Sequence, residues 1–191
     1  MKTFAQFVTE VYLNTIKKTG KAVSSFKREV LYNGGRKWNP EKSSDKSLKK
    51  LSTTSSGHHI YSSYDKNTGY HYFHAYDPEK KRSTITVQGR LRNGVLHNLY
   101  LASHDENTLP AHKFYSHLLN KEHITALASK NQSPGAKSVW TKLSKERGVN
   151  IHGWHKGQPV NVKVGEDETH DVKKGDPSIR DMELVAHKKD K

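Results

Sequence analysis

The sequence predicts a mixed α/β (α+β) protein. A meander of antiparallel hairpins is followed by strand-helix-strand-helix-strand-strand, in one mixed sheet, behind a basic helical arm. Three observations carry this. From His58 to Ser103, apolar and polar residues alternate with period two between turn sequences, the pattern of half-buried strands joined by hairpins. From Pro110 to Val164, helix-spaced segments alternate with short apolar strands, which calls for crossover connections and helices packed on the sheet. Ahead of Gly57, apolar residues fall at helical spacing among Lys and Arg.

In chain order, Phe4, Phe7, Val8, Val11, Tyr12 and Ile16 make one apolar helical stripe, with Lys17, Lys18 and Lys21 on the polar side. Gly20 interrupts it, Ala22, Val23, Phe26 and Val30 resume it, and Gly34-Gly35 ends it. Residues 39–57 turn to Ser, Thr and Lys and predict a flexible linker. Four strands follow, over His58–Tyr64, Tyr70–Tyr76, Ser83–Leu91 and Val95–Ser103. Turns at Asp65–Gly69, Asp77–Lys81 and Asn93-Gly94 separate them. A helix is predicted over Pro110–Lys121, with Thr108 as its cap and Phe114, Leu118 and Leu119 inward. Ile124–Ser129 is a strand, and Ala136–Arg147 a helix with Val139, Trp140 and Leu143 inward. Val149–Trp154 and Gln158–Val164 pair across His155-Lys156-Gly157. Residues 165–178 are charged and irregular, and a last short helix is predicted over Ser178–His187. The organisation expected is therefore a leader over 1–10, an arm and linker over 11–57, a mixed domain over 58–164 and a charged tail over 165–191.

Charge separates the function classes. The 191 residues carry 33 Lys and Arg against 19 Asp and Glu, a net charge of +14. Residues 1–57 hold 12 basic and 4 acidic residues, so over half the excess sits in the first third. Such an arm is suited to phosphates, because each neutralised phosphate releases counterions. Basic residues expected to contact nucleic acid are Lys17, Lys18, Lys21, Lys27, Arg28, Arg36, Lys37, Lys49 and Lys50. To these the meander adds Lys80, Lys81, Arg82, Arg90 and Arg92. The chain has no Cys, which excludes disulfides and thiolate metal sites. No apolar run reaches membrane-spanning length, so no membrane partner is expected.

The opening Met1-Lys2-Thr3-Phe4-Ala5-Gln6-Phe7-Val8-Thr9-Glu10 resembles the capsid-targeting leader of internal head proteins of T-even-type tailed phages. The resemblance implies cleavage by a prohead protease after the aliphatic-x-Glu site Val8-Thr9-Glu10. It also implies partners in the capsid or scaffold core, and a place in the virion interior beside the genome or, after delivery, in the host cytoplasm. Cleavage there would remove Lys2 and Glu10, whose charges cancel, so the basic balance would survive processing.

The element order over 58–164 resembles the GNAT acyltransferase fold. Ser133-Pro134-Gly135-Ala136-Lys137-Ser138-Val139-Trp140 is similar to that family's Asn-x-x-Ala-x-x-x-Tyr segment. Ser133 stands for the Asn and Trp140 for the Tyr that serves as general acid toward the departing thiolate. Indole N–H is no proton source near neutral pH. The pyrophosphate loop would fall on Glu106–Ala111, where Ala111 fits the pattern while Glu106 and Pro110 oppose it. The resemblance implies acetyl-CoA as cofactor, held near Leu101, Ser103, Asn107, Thr108, Ala111, Ser133 and Trp140.

The thirteen His show no chelating spacing. His58-His59 and His71/His74 fall on opposite strand faces, and His112 and His117 are five apart on a helix. No metal site is expected, and no catalytic residue can be singled out. Glu166, Asp167 and Glu168 read as a solvated loop. Trp154 reads as a strand-end packing residue, and one face of the Tyr-rich first hairpin as core. Three readings follow: an internal head protein packed against DNA with no cofactor, a GNAT-type N-acyltransferase, and a module that binds and inhibits a host protein.

Overall fold

A computed structural model describes residues 39–43, 46–103, 108–122, 124–129, 134–156, 158–164 and 182–189. The leader with Val8, Thr9 and Glu10 lies outside the described residues, as do Lys17, Lys18, Lys21, Lys27, Arg28, Arg36, Lys37, Asn107 and Ser133. The protein is of mixed α and β class, with a mostly antiparallel sheet and, among the described residues, two α-helices. The chain divides into two compact units, with the change-overs at Gln88/Gly89, Leu99/Tyr100 and Pro110/Ala111.

The first unit is the meander. Its strands are β1 (Lys49–Thr53), β2 (His59–Asp65), β3 (Tyr70–Asp77), β4 (Arg82–Arg92) as far as Gln88, and β5 (Val95–Ser103) from Tyr100. They lie side by side in sequence order. Each connection is set by local chemistry. The Asp65 carboxylate accepts from the Asn67 N–H and the Thr68 hydroxyl, and Gly69 takes a left-handed φ of 70° to re-enter the sheet. The Asp77 carboxylate likewise accepts from the Glu79 and Lys80 N–H groups. On one face Ile60, Phe73, Ala75, Ile85 and Val87 are buried. The other face is also buried but polar and aromatic. Register places Ser63 opposite Tyr72 and Tyr61 opposite His74, and His74 Nδ1 lies 3.0 Å from the Thr86 hydroxyl. A short 3-10 turn over Pro40–Lys42 and the side chain of Leu48 cap the Tyr61–Tyr76 end of this face.

The second unit holds the tip of the β4–β5 hairpin, α1 (Ala111–Lys121), β6 (Ala126–Ser129), α2 (Pro134–Leu143), β7 (Val149–His155), β8 (Gln158–Val160) and β9 (Glu183–Lys188). Asn93 and Gly94 both have positive φ, the type I′ geometry that matches strand twist. A side chain at Gly94 would meet Thr125 at 2.8 Å, and the Gly94 carbonyl accepts from the Thr125 N–H. The strand order is β5-β6-β9-β7-β8. Strands β5 and β6 are parallel over Val95–His97 and Ala126–Ala128, and β9 is antiparallel to both β6 and β7. The core is Leu96, Phe114, Leu118, Leu127, Trp140, Leu143, Leu184 and Ala186. Gly153 is needed where β7 passes Met182, Val160 and Val162, because a Cβ there would lie 2.6–2.7 Å from their side chains.

Three element assignments fail, one of them by length: the strand expected over Gln158–Val164 ends at Val160. Residues 49–53 form a strand rather than part of a linker. An edge strand needs partners on one side alone, so exposed Lys49, Lys50 and Leu51 suffice once the backbone pairs with β2. The end of the chain forms no helix over its described part, Glu183–Lys188, but a strand inserted between β6 and β7. Burial alternates there, with Leu184 and Ala186 inward, and pairing on both sides overrides the helix propensity of Glu, Leu and Ala. Among the described residues no helix is long and apolar enough to cross a membrane.

Candidate functional site

The basic residues are placed by strands and turns. Lys49 and Lys50 project from β1, paired with Ser62 and Tyr61 in the middle of β2. Lys80, Lys81 and Arg82 come together at the β3–β4 turn, where Lys81 holds a φ of 51°. That turn adjoins the Tyr76 end of the meander, three residues or roughly 10 Å along the strands from the Lys49 row. The first unit therefore presents two basic clusters rather than one. Arg90 and Arg92 fall on one face of the outer part of β4, both exposed, as alternation requires. Among the described residues no carboxylate pairs with Lys49, Lys50, Lys81 or Arg92. Lys113 is engaged instead, 2.9 Å from Glu146.

The densest polar cluster of the first unit surrounds His58, on the loop between β1 and β2. Its Nδ1 lies 3.1 Å from the Ser56 hydroxyl and its Nε2 3.1 Å from the Thr108 hydroxyl. The Asp77 carboxylate is 3.8 Å from Nε2, beyond hydrogen-bond reach. The His58 N–H donates to the Thr54 hydroxyl, and Thr54 and His58 also exchange a backbone bond of 2.8 Å. Burial pulls the His58 pKa below the ordinary value, and Asp77 opposes that shift. A serine, a histidine and an aspartate are thus aligned, but Nε2 is occupied by Thr108 and the histidine is buried. The cluster acts as a clasp on the β1–β2 loop. No spacing rule in the sequence announces it, because Thr108 lies fifty residues from His58.

Two further histidines each face a single carboxylate. His112 lies 3.4 Å from Glu146 and His117 3.4 Å from Glu122. Among the described residues no three His, Asp or Glu side chains converge on a metal position.

The positions aligned with acyl-CoA contacts are distributed as follows. In the first unit Leu101 is buried on β5, Ser103 is half-buried at its end, and Thr108 is tied to His58. In the second unit Ala111 opens α1. Trp140 is 2% exposed on α2, its ring 6.4 Å from that of Tyr115, so it is a core anchor and no proton donor. Burial also raises the Tyr115 pKa, which keeps that phenol protonated. Trp154, expected to pack at a strand end, is 41% exposed. Comparison of the chain with family models, curated proteins and solved structures gave no match.

Proposed function

We propose that this chain is an internal head protein of a tailed phage that lies against packaged DNA through non-specific phosphate contacts. The observation that carries this is the net charge of +14, part of it on exposed Lys49, Lys50, Lys81 and Arg92, which have no carboxylate partners among the described residues. Cations left unpaired are free to displace the counterions of a phosphate backbone. The resemblance of residues 1–10 to a capsid-targeting leader supports the location, with Val8-Thr9-Glu10 as the processing site and the capsid core and prohead protease as partners. The test is duplex binding followed by fluorescence anisotropy across salt concentrations. Affinity that falls linearly on logarithmic axes with a slope of several units supports the reading, and a flat response ends it. Mass spectrometry of virions should find the protein beginning at Val11; an intact start at Met1 would remove the processing claim.

A second reading is favoured by one feature of the second unit. The parallel β5/β6 pair, the helices α1 and α2 that follow β5 and β6, and β9 inserted between β6 and β7 support a GNAT-like layout. Under it the chain would bind acetyl-CoA as an N-acyltransferase or as a relative that has lost the chemistry. Buried Trp140 in place of the acid Tyr supports the latter. Acetyl-CoA at saturation should raise the melting temperature, since a ligand of the native state stabilises it; no shift removes this reading.

A further inference from the structure

In the second unit, three of four adjacent strands carry rings on one face. Register aligns Val95, Ala126, His187 and Asn150 in one row, and His97, Ala128, Val185 and His152 two residues further on. Trp154 and Glu183 pair in the next row on the same face. Residues in alternate rows share a face, so His97, His152, Trp154 and His187 lie on one side. The intervening row of Leu96, Leu127, Ala186 and Ile151 points the other way, with its first three members fully buried.

Three of the rings, His152, His187 and Trp154, are close enough to form a continuous surface. His152 and His187 meet edge to face at 5.0 Å between centroids, and His152 is 6.0 Å from Trp154. The His187 Nδ1–H donates to the Lys188 carbonyl, which fixes that ring. Burial and the neighbouring His187 hold His152 below the ordinary imidazole pKa, so it presents a neutral π face. Ala126 and Ala128 on the same face are buried, His97, His152 and His187 are half-buried, and Trp154 is exposed. The span from β5 to β7 is three strand spacings, roughly 14 Å.

Charge favours a polyanion here. Glu183 is the one carboxylate among the described residues of β6, β7, β9 and the Val95–Leu99 part of β5, and its oxygen is 3.5 Å from His97 Nδ1. Exposed Lys156 stands two residues beyond Trp154, in the turn between β7 and β8. Rings on a sheet face beside a cation are the elements with which proteins stack unpaired bases while neutralising the backbone. A duplex hides its base faces in its own stack and has little use for this surface.

We infer that the β5-β6-β9-β7 face of the second unit is a stacking platform for single-stranded DNA, with Trp154 and His152 as the principal base contacts. This rests on the reading that the protein contacts DNA, and assigns to this face the unpaired form of that partner.

The experiment is titration of the full chain with oligo(dT) and with duplex DNA, read by tryptophan fluorescence and by anisotropy. Oligo(dT) should quench emission. Trp154→Ala should weaken oligo(dT) binding roughly five- to a hundredfold and leave duplex affinity unchanged. In a Trp38→Phe background, which leaves buried Trp140 as the other indole, Trp154→Phe should bind oligo(dT) near the level of its parent but lose the quench. Equal oligo(dT) affinity for wild type and Trp154→Ala, with duplex binding intact, overturns the platform alone. Failure of the wild type to bind either form at low salt overturns the DNA reading with it. An unchanged melting temperature of Trp154→Ala separates lost contact from lost fold.

Discussion

His74 has no exposed surface, and burial pushes its pKa down to about 3. In the folded chain the ring stays neutral until that pH, with Nδ1 beside the Thr86 hydroxyl. In the unfolded chain it takes a proton near 6.5. Between those values the unfolded state binds more protons, so folding stability is full above about 6.5 and falls as the pH drops towards 3. The slope from one such group approaches about 1.4 kcal/mol per pH unit. His58, His71, His112, His117 and His152 shift in the same direction through burial and steepen the upper part of that window. His74→Asn keeps a group for Thr86 and removes the titration. Its urea stability should therefore fall less between pH 7 and pH 4.5 than that of the wild type. An unchanged slope would assign the acid sensitivity elsewhere. The sequence signals that His74 sits on a strand, since Tyr70, Tyr72, His74 and Tyr76 alternate. It does not signal that this polar face is buried, because burial depends on what covers a sheet and not on the strand's own pattern.

The elements legible in the sequence are those with a local signature. Turns built on Asp65, Asp77 and Asn93-Gly94 punctuate the meander, and the four central strands lie within a residue or two of their expected positions. The helices follow their apolar spacing, although α2 starts at Pro134 and ends at Leu143, earlier than the pattern suggests. Strands β1 and β9 were hidden for opposite reasons. Lys49–Thr53 has no apolar alternation, because an edge strand is held by backbone bonds to one neighbour. Glu183–Lys188 has clear alternation, but over six residues rich in helix formers, and its two partners are distant in sequence. That placement makes β9 central to its unit. Leu184 is 3% exposed, and its loss leaves a cavity that flanking strands cannot close. Leu184→Ala should cost about 2–5 kcal/mol by urea denaturation. Pro159 on β8, by contrast, already tolerates a residue without an N–H, as an end strand should. The ring platform was missed with β9, since Glu183 and His187 join His97, His152 and Trp154 only once that strand is in the sheet.

For the whole molecule the dominant quantity is charge, and its effect on DNA can be separated from that of the rings. Phosphate contacts by cations set the salt dependence of binding, because each contact releases counterions whatever the base sequence. Stacking releases none, so it sets affinity at fixed salt and leaves the slope alone. Composition made the charge legible at once, but not its arrangement: Lys49 and Lys50 lie apart from the Lys80–Arg82 turn, so under the proposed DNA reading each cluster would contact phosphate separately. Contacts that act separately should be lost additively. Replacement of Lys49, Lys50, Lys81 and Arg92 by Gln should reduce the logarithmic salt slope for duplex DNA by about 0.9 for every one of the four that touches a phosphate. All four are exposed and lack carboxylate partners among the described residues, so the fold should keep its melting temperature. Trp154→Ala should show the converse: a lower affinity for oligo(dT) at every salt concentration, on a line parallel to that of the wild type. A quadruple variant with the wild-type slope would mean that these cations face solvent alone, and would leave the DNA contact to other basic residues of the chain.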